Sequence, residues 1–412
     1  MAVLPVFCTA LDTNPHQLIL YEVVLQLERL VTSTEDTITA PSWEEAVSVL
    51  ELLVTKISVL DSEHSSAVHH HLQATIGQLE KLAMTDSYGG SRTRLYSLVE
   101  SVSHISPDSS VIHLIKYQQS MCLHPGRDGW CDKLASMMER LYCQETRVTV
   151  RLVMMSVLSE VVTSNMLLWE DQLLEKSALP FLSNIERESD RVVRVQSVQL
   201  VSTFASKSSG SHLTDLVDIL EKIVRRFSEA PAGVNSSDTA VVFTKHDFDI
   251  QCEAVRGLIQ CMKSKLSTGP GSVVKRCFTT LVSTLDNIYE RPQYLECTGD
   301  IRLEIFRMLL TIRANRDYHL GLPRSAPVSS PEHGTDQHLE CTGHGQYCFS
   351  PHVVCDRGEE QESVTDGTIV ISVSRGCVCV LRCLRDERDW SVLGHVLESL
   401  PGTLQNKGLL SR

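Results

Sequence analysis

Six potential metal ligands fall within one short stretch: His333, His338, Cys341, His344, Cys348 and Cys355. Thiolates and imidazoles are the donors that hold zinc in a tetrahedral site. The intervals here, C-x2-H, H-x3-C and C-x6-C, lack the C-x2-C or H-x3-H knuckles of structural zinc sites. The tract therefore reads first as a polar insertion, with a zinc or thiol module across 333–383 as an alternative. His69, His70 and His71 are consecutive, and neighbours on a helix point about 100° apart. They make a solvated face rather than a ligand set. Cys377, Cys379 and Cys383 would need a close cation to become reactive thiolates. Arg375 and Arg382 are the nearest candidates, and buried thiols are the simpler reading. There is no G-x-x-x-x-G-K-[ST] loop to cradle a nucleotide and no G-x-S-x-G elbow. No catalytic residue, cofactor or metal ligand is assigned, and the expectation is a non-catalytic chain.

A different pattern recurs. A β-branched residue followed by arginine opens four apolar stretches: Val150-Arg151, Val193-Arg194, Val255-Arg256 and Ile301-Arg302. The arginines lie 43, 62 and 46 residues apart, and removing the polar insertion 228–246 brings the long interval to 43. A period of about 40–47 residues is that of HEAT and armadillo arrays. Each unit is a helical hairpin that must stack on its neighbours to bury its apolar face. In the clearest unit Asp190 caps a helix. Arg194, one turn on, is expected to pair with Asp190 or with an acid of the adjacent unit, so that the two residues share one network. Asp190, Arg194, Arg151, Arg256 and Arg302 are the structural repeat positions. Arg147 and Cys252 stand where the other units would need an acid, so no continuous Asp-Arg ladder is expected.

The fold class expected is all-α, an α-solenoid of HEAT/armadillo-like hairpins. At 412 residues the chain exceeds a single core, and 5% aromatics suit helices packed by leucine and valine. A net charge of −13 argues against a nucleic-acid partner. No run reaches the roughly 18–20 uninterrupted apolar residues of a bilayer span. The fourteen cysteines follow no secretory signal, which implies a reducing, cytoplasmic setting.

Helical repeats are expected over 1–322, a flexible Pro/Gly/His/Cys-containing linker over 323–367, and a further hairpin over 368–412. Val370, Ile371 and Val373 could begin that last part extended. Ser42 with Glu45 reads as a capping box. Gln172 to Asn184 reads as a helix paired with Val192 to Ala205. The chain stops at Arg412 without a closing polar helix, so the array is expected to be cut short there.

Several runs carry a family resemblance: Tyr21-Glu22-Val23-Val24, HPGRDGW at 124–130, SHLTDLVDILEK at 211–222, LGLP at 320–323, CFSPHVVCD at 348–356 and ERDWSVLGHVLESLP at 387–401. In that order they resemble the tuberin family over nearly the whole chain. The resemblance implies the N-terminal and central helical region of a Rheb GTPase-activating subunit, which acts with hamartin to restrain target-of-rapamycin signalling. The family's activity belongs to a C-terminal α/β domain expected to be absent here, so Rheb would be engaged only through that domain. Hamartin is the partner implied, with cytoplasmic residence and peripheral recruitment to the lysosomal surface within the complex. An unrelated or Ral-GTPase-activator-like HEAT adaptor is the alternative, and the HPGRDGW and LGLP runs count against it.

Overall fold

The computed structural model describes residues 3–13, 16–33, 40–57, 62–85, 88–229, 244–266, 270–311, 318–321, 369–372 and 374–406. The expected linker 323–367 and the Cys/His tract within it lie outside the described residues.

The chain divides into two compact units, Met1–Val161 and Val162–Arg412. The first holds α1 (Val3–Thr13), α2 (Gln17–Ser33), α3 (Ala40–Ile57), α4 (Ser62–Met84), α5 (Arg92–Ser101), α6 (Asp108–Cys122) and α7 (Trp130–Met138), and the start of α8 (Val148–Leu173). The second takes α8 onward through α9 (Leu179–Leu182), α10 (Arg191–Lys207), α11 (Leu213–Glu229), α12 (Lys245–Lys265), α13 (Gly271–Tyr289), α14 (Gly299–Thr311), α15 (Ser374–Asp386) and α16 (Trp390–Asn406). Two short strands, β1 (Tyr318–Gly321) and β2 (Ile369–Ser372), pair in parallel with Tyr318 opposite Ile369. Ile369, Val370 and Ile371 are β-branched, the residue type that suits a pleated strand.

Helices stack by alternation. In the first unit α1 lies on α3 and α2 on α4; in the second, α10 lies on α12, α11 on α13, α12 on α14, α13 on α15 and α14 on α16. Consecutive helices form each hairpin, so the fold within each unit is an all-α stack of the solenoid kind. The repeated dipeptide shows why the period is legible: Val150, Val193, Val255 and Ile301 are all buried. In the first unit Leu20, Val24 and Leu27 meet Leu72, Ile76 and Leu79 in a core that also takes Val47, Leu50 and Leu53 from α3. Each such side chain contributes about 1.5–3 kcal/mol by leaving water.

Local chemistry sets the helix ends. Asp190 caps α10, its carboxylate accepting from the amides of Val192 and Val193 at 2.9 and 3.0 Å. Ser91 accepts from the Arg94 amide at the start of α5. The HPGRDGW run is the turn from α6 to α7. Gly126 (φ 103°) and Gly129 (φ 73°) supply left-handed conformations that side chains disfavour, and Trp130 drops into the core.

One expectation is corrected. Ser42 is no cap: α3 already begins at Ala40, with Pro41 in its first turn, where a missing N–H costs nothing. The expected helix Gln172 to Asn184 follows a kink: Trp169 (φ −129°, ψ 20°) divides the run from Val148, and the part beyond it passes through a π-turn at Leu174–Ala178 into α9. The run Val148–Arg187 is long and apolar enough to cross a membrane by length and composition alone. Val150, Met154, Leu158 and Leu173 within it are buried in the protein.

One buried acid makes the first unit sensitive to pH. Glu80 on α4 is 2% exposed, and its one protein partner is the Ser110 hydroxyl of α6, which leaves Oε1 without a hydrogen bond. Burial pushes this carboxyl up to about 7, opposed by the Ser110 bond. The folded state thus holds a proton that the unfolded chain releases near pH 4.5. Stability from this group is complete below pH 4.5 and falls as pH rises through 7. Glu80→Gln should flatten that dependence and raise stability at pH 8 by about 1–3 kcal/mol. Denaturant unfolding of both proteins at pH 5 and pH 8 measures it, and an equal loss between the two pH values in the variant would contradict it.

Candidate functional site

Arginines cross from one hairpin to the next along both units. In the first, Arg94 of α5 reaches back to α3, where its Nε and Nη2 donate to the two oxygens of Glu51 at 3.0 and 2.6 Å and Nη1 to Glu44 at 3.1 Å. These carboxylates push the guanidinium far above its usual range. Arg147 donates to the carbonyls of Ser106 and Ser103 at 2.5 and 2.8 Å, closing the end of α5 against the start of α8. In the second unit Arg276 of α13 bonds Asp218 and Glu221 of α11, and Thr280 donates to the other oxygen of Glu221. Glu221 is buried. Asp218 and Glu221 of the DLVDILEK run therefore face the next hairpin.

The expected repeat positions divide among different roles. Arg194 of α10 lies 3.7 Å from Asp247 of α12, an acid of the adjacent hairpin, while Asp190 is occupied by its cap. The two do not share a partner. Asp247 also accepts from the amide and hydroxyl of Thr244 at 3.0 and 2.7 Å, so it opens α12 as well. Arg256 of α12 pairs with Glu253 on its own helix and lies 3.4 Å from Glu304 of α14. Arg151 donates to the Tyr142 carbonyl at 3.0 Å and lies over the Tyr142 ring.

Arg302 is the deepest. Its side chain is 1% exposed and that of Glu387, in the turn between α15 and α16, is fully buried. Nε and Nη2 donate to the two Glu387 oxygens at 2.8 and 2.9 Å, and Nη1 to the Leu295 carbonyl and Thr298 hydroxyl at 2.6 and 2.7 Å. The Tyr289 hydroxyl and the amides of Arg388 and Asp389 complete the carboxylate. Burial alone would raise the Glu387 carboxyl, but Arg302, the Asp389 amide and Tyr289 outweigh it and hold it below the usual range. Asp389 then accepts from the Ser391 amide to open α16, and Val392 and Val396 are buried. The ERDWSVLGHVL run is this joint.

Two hollows lie among the described residues of the second unit. One, of about 10 Å³, is lined by Glu186, Arg194, Ile223, Arg226, Asp247, Ile250 and Gln251, room for a single water. Arg194 Nε and Arg226 Nη1 are buried without a protein hydrogen bond. Burial and the neighbouring Arg226 charge lower the Arg194 guanidinium, against the pull of Asp247. The other is an open groove of about 580 Å³ lined by Arg256, Ile259, Gln260, Lys263, Ser264 and Glu304. It offers neither a histidine nor a cysteine.

Among the described residues no group of three or more His, Cys, Asp or Glu side chains could hold a metal. His71 is no solvated residue: it lies 2.5 Å from Glu28 of α2. Cys379 and Cys383 are buried, and burial pushes Cys383 up to about 11, so Cys383 is no ready thiolate.

Stacked hairpins tied by arginines define a helical-repeat protein. Residues 247–412 match the tuberin family model, and residues 1–159 match the domain of unknown function DUF3384, which is associated with the N-terminal part of tuberin. The two matches make this a tuberin-like protein. Neither matched region is the GTPase-activating domain.

The joint can be tested by pairs of substitutions. Arg302→Ala or Glu387→Ala should each cost about 3–5 kcal/mol, since either leaves a buried charge alone, and the double variant should cost far less than their sum. At the other end, Asp190→Ala should cost about 0.5–2 kcal/mol as a lost cap. It should add to Arg194→Ala within about 0.5 kcal/mol, whereas Arg194→Ala and Asp247→Ala should couple. Denaturant unfolding of the two double-mutant cycles checks this; coupling of Asp190 with Arg194 would restore the shared network that the structure lacks.

Proposed function

We propose that the chain is a non-catalytic scaffold segment of a tuberin and hamartin complex that restrains target-of-rapamycin signalling. The observation that supports this reading is the pair of family matches, which fall on stacked helices with buried apolar side chains in each unit. Such a stack presents a long surface whose ordering is already complete, so a partner that binds it gains affinity without folding the site. In this reading hamartin lies against the helical repeats, and Rheb is met by a GTPase-activating domain outside the matched regions. The protein works in the cytoplasm and reaches the lysosomal surface as part of the complex. A net charge of −13 favours partner segments rich in lysine and arginine, with a corresponding dependence on salt.

Affinity capture of full-length hamartin by the purified chain tests the proposal. Hamartin should be retained by the wild type and by a variant lacking residues 324–346, and retention should weaken between 50 and about 300 mM salt. Loss of capture in the deletion would move the partner site from the helices to that segment. Single-turnover hydrolysis of GTP by Rheb should proceed at its intrinsic rate with the chain present, because acceleration requires a group placed at the transferring phosphate. Measurable acceleration would make the chain an activator by itself and end the non-catalytic reading.

A further inference from the structure

Two arginines of the second unit bring unbonded donors to one small hollow. Arg194 of α10 and Arg226 of α11 both line the space of about 10 Å³ that Ile223 and Ile250 wall with buried apolar side chains. Arg194 Nε and Arg226 Nη1 are buried, and neither has a hydrogen-bond partner among the described residues. A guanidinium N–H removed from water without an acceptor is costly, and here two border the same space. Their charges also act on each other: burial first, and then the Arg226 charge, hold the Arg194 guanidinium below its usual range. The acids around the hollow do not complete these donors. Asp247 accepts from the amide and hydroxyl of Thr244 and lies 3.7 Å from Nη2 of Arg194, not from its Nε. Glu186 is exposed, where water and salt screen its charge. Gln251 donates its amide to the Val224 carbonyl at 2.7 Å.

The balance of donors and charge states what such a hollow takes. Among its lining residues the buried polar atoms left without a partner are both donors. A water molecule would bring two further hydrogens that need acceptors, and no buried acceptor of these residues is left over. An anion only accepts. Two guanidiniums share the one partly covered carboxylate of Asp247, so the covered region carries one positive charge in excess, and a singly charged anion cancels it. Volume sets the size: a space of about 10 Å³ admits a single water-sized particle, which excludes sulfate and phosphate. The apolar walls keep the local dielectric low, so that each contact is stronger than it would be in water. We propose that Arg194 and Arg226 hold one halide ion, chloride in ordinary solution, as a pin between α10, α11 and the first turns of α12. The ion completes a joint that the 3.7 Å approach of Arg194 to Asp247 leaves long. The site stands apart from the partner-binding reading and holds whether or not hamartin binds.

Thermal melts in sodium chloride and in sodium gluconate of equal ionic strength read the site, because a ligand bound only by the folded state raises Tm by mass action. The wild type should melt about 2–5 °C higher in about 300 mM chloride than in gluconate. Arg226→Gln should melt at one temperature in both salts. Sodium bromide soaked into wild-type crystals should give an anomalous scattering peak between Arg194 Nε and Arg226 Nη1, a measurement that does not depend on the variant folding. Equal melting of the wild type in both salts with no bromide peak would overturn the site and leave the hollow to water. A bromide peak without a chloride effect on melting would reduce it to binding at crystal concentration only, which also overturns the pin. A chloride effect that persists in Arg226→Gln would overturn it by placing the ion elsewhere. Stabilisation by sulfate equal to that by chloride, and lost in Arg226→Gln, would replace the halide with an oxyanion.

Discussion

A helical hairpin with apolar side chains on both of its broad faces cannot close a core alone. The stacking of a helix on the one two places further along the chain, as α1 on α3, α2 on α4 and α10 through α16 in turn, answers that constraint. It explains why Val150, Val193, Val255 and Ile301 recur at the heads of helices and are all buried. It also explains why the core in the first unit draws on α2, α3 and α4 together. Apolar contact of this kind is strong but imprecise, because leucine and valine surfaces tolerate sliding. Something else must fix which turn of one helix lies against which turn of the next.

The arginines do this. A guanidinium has donors in a fixed planar fork, and once most of its surface is covered each donor needs an acceptor in one place. Arg94 on Glu51, Arg276 on Glu221 and Arg302 on Glu387 are two-pronged contacts between successive hairpins. Their net energy is small beside the apolar burial, since charges removed from water return much of what they gain. Their effect is on register. Glu387 is the extreme: one carboxylate accepts from Arg302, Tyr289 and two backbone amides, and a slip of one turn would strand all of them.

The period and the residue type at the head of each repeat were legible in the sequence because burial on a helix leaves a local pattern. Asp190 was legible as a cap for the same reason. Register contacts are not local. Arg94 and Arg276 leave no local signal because their partners lie 43 to 58 residues away, and no short motif links them. An acid and an arginine separated by about one repeat would have been the signal. Ser42 misled because a capping pattern can also fall inside a helix whose first turn accepts Pro41.

The Arg302 joint also bears on how the protein is made. The arginine precedes its carboxylate by 85 residues, whereas Arg94 follows the acids it binds by 43 to 50. An arginine that finds its acid already synthesised can lock at once; Arg302 emerges first and must wait. At translation speeds of about 5–20 residues per second the delay is roughly 4–17 s. During that interval α14 carries a cation destined for burial with no carboxylate to receive it, and the apolar side of α14 that α16 will cover stays open to water. Nascent chains paused in this window are the ones that chaperones must hold.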